Sequence, residues 1–248
     1  MGTPYLKNLN RIEFVITYAC TGKCKHCSEG DHPDCGEHID GRAAARAVKE
    51  IAGQYMITSL MTFGGEPLLY PEDVCRIHTA AKEAGIGKRQ LITNGYFSKE
   101  ESRIAEVARM LAESGVNDVL LSVDAFHQET IPTEPVKVFV REGMAAGLPI
   151  RLSPAWLVDR GHENPYNQRT REVLAEFEEF GIPVSGGNVI FPSGNARKYL
   201  SEYFEQYGEP ENPYADDPDD VRCVSFNPDG SSTITELIGR LKEREEGL

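Results

Sequence analysis

Ala19-Cys20-Thr21-Gly22-Lys23-Cys24-Lys25-His26-Cys27 sets three thiols at Cys-x3-Cys-x2-Cys spacing. The stretch before it, Arg11-Ile12-Glu13-Phe14-Val15-Ile16-Thr17-Tyr18, is rich in β-branched and aromatic residues and reads as a strand. Thr21 and Gly22 suit a loop. A loop of this length can wrap a small cluster and turn all three sulfurs inward. Three thiolates can hold three irons of a [4Fe–4S] cluster, whereas a cluster that only carries electrons usually takes four Cys ligands. A missing fourth ligand leaves one iron open to a substrate or cofactor. The same residues admit zinc: Cys20, Cys24 and Cys27 with His26 or His32 would form a Cys3His site, and Cys35 could close the set with a fourth thiolate.

Outward from this loop, strand-like and helix-like stretches alternate. Strands are expected at Arg11 to Tyr18, Ile57 to Phe63, Arg89 to Thr93, Asp118 to Asp124, Leu148 to Trp156 and Val184 to Phe191. Helices are expected at Ile39 to Tyr55 with Asp40 as N-cap, Pro71 to Ala84, Glu100 to Ser114, Glu134 to Ala146, Gln168 to Phe180 and Asn195 to about Tyr207. Successive βα units imply a parallel sheet with right-handed crossovers. The fold class over residues 1–207 is therefore α/β, and six strands are too few for a full eight-stranded barrel. Residues 208–221, with Pro210, Pro213, Pro218 and a run of acids, read as a linker. In residues 222–248 a β-hairpin is expected around Asn227-Pro228-Asp229-Gly230, then a helix from Ile234 or Thr235 to about Glu245.

With 248 residues and 40% hydrophobic content, the chain can bury a full core. Its net charge of −13 argues against nucleic acid held by general electrostatics. No apolar run reaches the length of a membrane span, and the N-terminus shows no signal-peptide pattern, so the expected location is the cytoplasm. There, six Cys with three in one loop point to metal rather than disulfides.

The Cys loop resembles the cluster motif of radical S-adenosylmethionine (SAM) enzymes. The resemblance extends to Gly64-Gly65-Glu66-Pro67 after the second strand, Thr93-Asn94-Gly95 after the third and Ser122-Val123-Asp124 on the fourth, covering roughly the first half of the chain in order. It implies one [4Fe–4S] cluster on Cys20, Cys24 and Cys27, an open iron that binds SAM, and reductive cleavage to a 5′-deoxyadenosyl radical that abstracts hydrogen from a substrate. It also implies an electron donor such as flavodoxin or ferredoxin, and, with the strand count in agreement, an open three-quarter barrel, a partial (β/α)6 TIM-type barrel over residues 1–207, with its chemistry at the C-terminal ends of the strands. The tail is similar to the start of a twitch or SPASM extension but lacks that extension's further Cys, so a single cluster is expected. A peptide, protein or small molecule remains open as substrate. The alternatives are SAM-dependent methyl transfer on the same fold, and a non-catalytic iron–sulfur or zinc protein.

Gly64 and Gly65 allow close approach of backbone to ligand, and Glu66 offers an acceptor for the SAM ammonium. Ser122 and Asp124 share one face of the fourth strand and are candidates for the ribose or the methionine part, with helix capping as the other reading of Asp124. Arg151 is a candidate for the SAM carboxylate or a substrate anion. Asn94 stands at a strand end. By the resemblance, His26 packs near the adenine. His127, Trp156 and Tyr166 follow strand ends and are candidates for lining a substrate pocket. His127 and Cys223 are the candidates for catalysis, Cys223 as a pocket thiol or else a packed strand thiol. Cys75 reads as a packed helix thiol.

Overall fold

The computed structural model describes residues 6–33, 36–212, 217 and 220–233; Cys35 and the expected C-terminal helix lie outside them. The chain runs β1 (Arg11–Val15), α1 (Gly41–Gln54), β2 (Ser59–Phe63), α2 (Pro71–Glu83), β3 (Lys88–Thr93), α3 (Glu101–Ser114), β4 (Asp118–Leu121), α4 (Ala125–Gln128), α5 (Thr133–Ala145), β5 (Ile150–Leu152), β6 (Ala155–Trp156), α6 (Pro165–Ala175), β7 (Asn188–Val189), α7 (Gly194–Tyr199), α8 (Ser201–Tyr207) and β8 (Cys223–Phe226). Local chemistry accounts for the well-read ends. Asp40 caps α1 by accepting from the backbone N–H groups of Arg42 and Ala43. Pro71 opens α2, where its missing N–H costs nothing.

Six strands form one sheet in the order β5-β4-β3-β2-β1-β8, every pair parallel. Alternation divides its faces. Ile12, Phe14, Leu60, Leu91, Val119, Leu121, Ile150 and Leu152 pack outward against Val48, Val74, Ile77, Val107, Leu111, Val136 and Phe139 of the helices. Glu13, Gln90 and Asp118 take the inner face. The result is the expected α/β partial barrel.

Three elements differ from expectation. The fifth strand breaks after Leu152: Pro154 has no N–H for the ladder, and the N–H of Ala155 goes to the Asp124 carboxylate. The chain then pairs as β6 with β7 in a separate two-stranded parallel sheet. Of Val184 to Phe191, only Asn188–Val189 is strand, so the sixth strand of the main sheet is β8, laid parallel on β1 with Cys223 opposite Arg11. The turn at residues 227–230 does form, since Asn227 N–H donates to the Ser231 carbonyl, but its second arm makes one bridge, Phe226 to Ser232. The helix expected from Asn195 to Tyr207 is two, parted at Leu200.

Candidate active site

The Cys loop leaves β1 at the C-terminal edge of the sheet and is held on both sides. On the β2 side, Gly65 N–H donates to the Thr17 carbonyl at 2.7 Å and Glu66 N–H to the Ala19 carbonyl at 2.8 Å. Gly64 has φ +134°, and a Cβ on Gly65 would lie 2.1 Å from the Ala19 carbonyl oxygen. The two glycines are thus required by the Cys loop's own backbone, before any ligand is considered. On the other side stands α7: Asn195 N–H donates to the Cys27 carbonyl at 2.9 Å.

A cavity of about 260 Å³ opens beside the loop. It is lined by Cys20, Cys24, Cys27, His26, Gly64, Gly65, Asn94, Ser122, Asp124 and His127, together with Ser153 and the wall Asn188 to Phe191. Nine of the sequence-derived candidates and His127 therefore meet at one place. Asn94 lies over Cys20, its amide 3.7 Å from the sulfur and 3.1 Å from Thr21 Oγ1. His32 Nε2 is 3.0 Å from Cys27 Sγ, and its Nδ1 is 2.7 Å from the Tyr18 carbonyl. Burial pushes the Cys20 thiol up to about 11 and raises Cys24 and Cys27 as well, so all three are protonated without a metal.

Asp124 is fully buried with every lone pair engaged. Oδ1 accepts from the N–H groups of Phe126 and His127, capping α4; Oδ2 accepts from Ala155 N–H and holds His127 Nδ1 at 2.8 Å. Burial is the largest single influence and would raise this carboxyl, but His127, His26 and the hydrogen bonds together outweigh it and keep the group well below the usual carboxylate range. Its capping reading is the one realised, with orientation of His127 added. His26 packs 4.9 Å from Phe126 and 4.8 Å from His127, ring centre to ring centre. Burial lowers His26 to about 4 against the Asp124 charge, leaving a neutral ring whose buried Nδ1 has no partner.

Three candidates are elsewhere. Glu66 is fully buried and outside the cavity lining. Its Oε1 accepts from Thr93 Oγ1 at 2.7 Å and Leu68 N–H at 2.9 Å, and its Oε2 from Asn94 N–H at 2.8 Å. It ties the β2 turn to the end of β3 rather than offering an acceptor to a ligand. Arg151 forms a two-pronged ion pair with Asp118, the first residue of β4, at 2.8 and 2.9 Å. Asp118 also accepts from Gln90, and Gln90 from Arg11, so Arg151 belongs to a polar network at the N-terminal end of the barrel, away from the cavity. Cys223 pairs in register with Arg11 at that same far end. Trp156 and Tyr166 do not line the cavity either: Trp156 Nε1 donates to the Gly186 carbonyl, and Tyr166 stacks on Phe126. Cys75 packs against the main core as expected.

The donor set favours a cluster over one ion. Among the described residues, the only group of donor atoms gathered within 4.8 Å of one another is Cys24, His26 and His127; the three thiols do not close on a single ion-sized point. Their wider ring around a cavity, with an orphaned nitrogen and Asn94 over one sulfur, fits a multi-iron group.

The sequence model of the radical SAM superfamily matches residues 14–201. The chain belongs to the radical SAM superfamily. This radical SAM chain is 30% identical over 150 residues to the GTP 3′,8-cyclase of Aeromonas hydrophila subsp. hydrophila, which covers 55% of this chain and 42% of that protein. To the GTP 3′,8-cyclase of Tolumonas auensis it is 26% identical over 151 residues, 57% and 42% of the two chains. It thus spans less than half the length of these curated relatives. The crystal structure of Streptococcus suis SuiB bound to S-adenosylmethionine superposes with TM-score 0.60 at 15% identity, covering 91% of this chain and 60% of that one. SuiB bound to its precursor peptide SuiA gives 0.61 over 91% and 59%, again at 15% identity. At that identity the likeness is one of fold. The cofactors of a radical SAM enzyme are a [4Fe–4S] cluster and SAM.

Proposed function

We propose that Cys20, Cys24 and Cys27 hold one [4Fe–4S] cluster and that SAM occupies the adjoining cavity, for hydrogen abstraction from an uncharged substrate, in our reading a peptide. When bound, the pair supplies an electron and a 5′-deoxyadenosyl radical. The protein's part is placement. Cys20, Cys24 and Cys27 give up their protons to become ligands. Asn94 orients Cys20, and Ser122 presents a hydroxyl to the cavity. Asp124 fixes the His127 ring through Nδ1, so a proton exchanged with a cavity molecule passes through Nε2.

The observation that carries this reading is the meeting of the three thiols, Gly64-Gly65, Asn94, Ser122 and His127 around one cavity. Substrate charge is read from the same lining. Among the described residues no Lys or Arg borders it, so a triphosphate such as that in the curated relatives' name would meet no cation there. A peptide suits the wall: Asn188 N–H donates to the Pro154 carbonyl and Ile190 N–H to the Trp156 carbonyl, which turns the Val189 N–H and carbonyl to the outer edge of β7, where an extended chain can pair.

Protein prepared without oxygen is expected to be brown, to carry roughly four irons per chain, and to convert SAM to 5′-deoxyadenosine and methionine under a strong reductant. S-adenosylhomocysteine as the product would instead establish methyl transfer. One zinc per chain with failed iron reconstitution, both altered in His127→Ala, would assign a single-ion site on Cys24, His26 and His127 and end the radical reading.

A further inference from the structure

The Cys loop meets a second support that lies far along the chain. Asn195 is 6% exposed, 171 residues from Cys24. Its Nδ2 donates to the Cys24 carbonyl at 3.3 Å and to the Gly30 carbonyl at 3.1 Å, while its N–H donates to the Cys27 carbonyl at 2.9 Å. Ser193 Oγ donates to the Ser28 carbonyl at 3.0 Å. Between them Gly194 has φ +48°, and a Cβ there would stand 2.4 to 2.6 Å from Ser28 O, Cys27 O and Gly30 N. Behind this face, Ala196 and Leu200 are buried with Phe126 and Ile190 in a second apolar cluster, so the segment is anchored from below.

We propose that Ser193-Gly194-Asn195 is a positioning element for the cluster: it sets the backbone of Cys24 and Cys27, two of the three ligands, as Gly64-Gly65-Glu66 sets the approach to Cys20. This rests on the cluster reading above. The physical reason is specific. Four loop carbonyls, at Cys24, Cys27, Ser28 and Gly30, accept from this element. Within the loop only single turn bonds, from Cys27 N–H to Cys24 and from Gly30 N–H to Cys27, restrain the two cysteine carbonyls, and a rotation at either cysteine carries its sulfur with it. The side-chain amide of Asn195 is a double donor whose two hydrogens match two of the loop carbonyls, a role neither Asp nor Ala can take. Ser193-Gly194-Asn195 follows the cavity wall at Phe191 after Pro192, and Ser193 N–H donates to the Phe191 carbonyl at 2.9 Å, which ties the element to the wall.

Asn195→Asp keeps the shape and turns an acceptor on two carbonyl oxygens; Ser193→Ala removes one donor. Both are loaded with iron without oxygen and challenged with an iron chelator, and the paramagnetic resonance spectrum of the reduced cluster is recorded with and without SAM. Asn195→Asp should release iron about tenfold faster than wild type, and Ser193→Ala by about threefold, as lost hydrogen bonds of ordinary strength imply. The spectrum should change in both. Val107→Ala, in the core of α3, lowers thermal stability without touching the loop and should keep the wild-type release rate and spectrum. If Asn195→Asp fails to fold, Ser193→Ala decides alone. Wild-type release and spectrum in the variants, or faster release in Val107→Ala to the same degree, overturns the positioning role while the cluster stands. A wild-type chain that takes up no iron overturns both.

Discussion

At the scale of single residues, Gly65, Glu66 and Arg151 show what a sequence conveys. Because a Cβ on Gly65 would strike the Ala19 carbonyl, even Gly65→Ala should lower iron uptake after anaerobic reconstitution; a variant with full iron and only weakened SAM binding would return Gly65 to the ligand. Burial raises the Glu66 carboxyl from 4.5 to about 7, against hydrogen bonds from Thr93, Leu68 and Asn94. The folded state therefore binds the proton more tightly, so its contribution is full below about pH 4.5 and is lost as pH rises through 7. Urea unfolding of the iron-free protein should show a fall of up to about 3 kcal/mol between pH 4.5 and pH 8 that is absent in Glu66→Gln. A pH dependence shared by both would clear Glu66. Arg151→Gln should lower the unfolding midpoint and leave the SAM titration at its wild-type value; weakened SAM binding would put Arg151 back at the site. The thiol spacing was legible because its reason is local; the Gly-Gly pair was legible as a motif, but its reason, the Thr17 and Ala19 carbonyls of the Cys loop, was not. Two of the three partners of Glu66, Thr93 and Asn94, lie 27 and 28 residues away, and nothing near it announces them. Alternation put Arg151 on the inner face correctly, but a period of two fixes a face and not a height along the strand.

Among the elements, β1 to β5 and α1, α2, α3 and α5 between them were legible because each carries its own pattern and punctuation; the one-turn α4, capped by Asp124, was not expected. β8 was not. Its neighbouring turn, Asn227 to Gly230, is a hairpin signal that does fold, yet the partner of β8 is β1, at the other end of the chain. No local rule reports a parallel pairing of that span. The pairing has a test in Phe226, which stacks on Phe14 with ring centres 5.2 Å apart. Phe226→Ala should destabilise the iron-free protein by about 1–3 kcal/mol, less than a fully buried ring would. A loss no larger than that of the exposed Tyr207→Ala would mean that β8 adds little to the sheet.

For the molecule as a whole, the proposal of an uncharged substrate rests on a cavity lining that, among the described residues, holds no Lys or Arg. In equilibrium dialysis GTP should bind far more weakly than SAM; comparable binding would overturn the uncharged-substrate reading. Asn195 follows Cys24 by 171 residues, and β8 comes later still. At roughly 5–20 residues per second of synthesis, the thiols wait on the order of ten to thirty seconds before their second support exists. Pairing so distant in sequence also closes slowly. A nascent chain thus presents three unguarded sulfurs to whatever oxidant or stray ion the cell contains. Metal delivery is best timed after synthesis, and growth in excess zinc during translation should harm this protein more than the same zinc added afterwards.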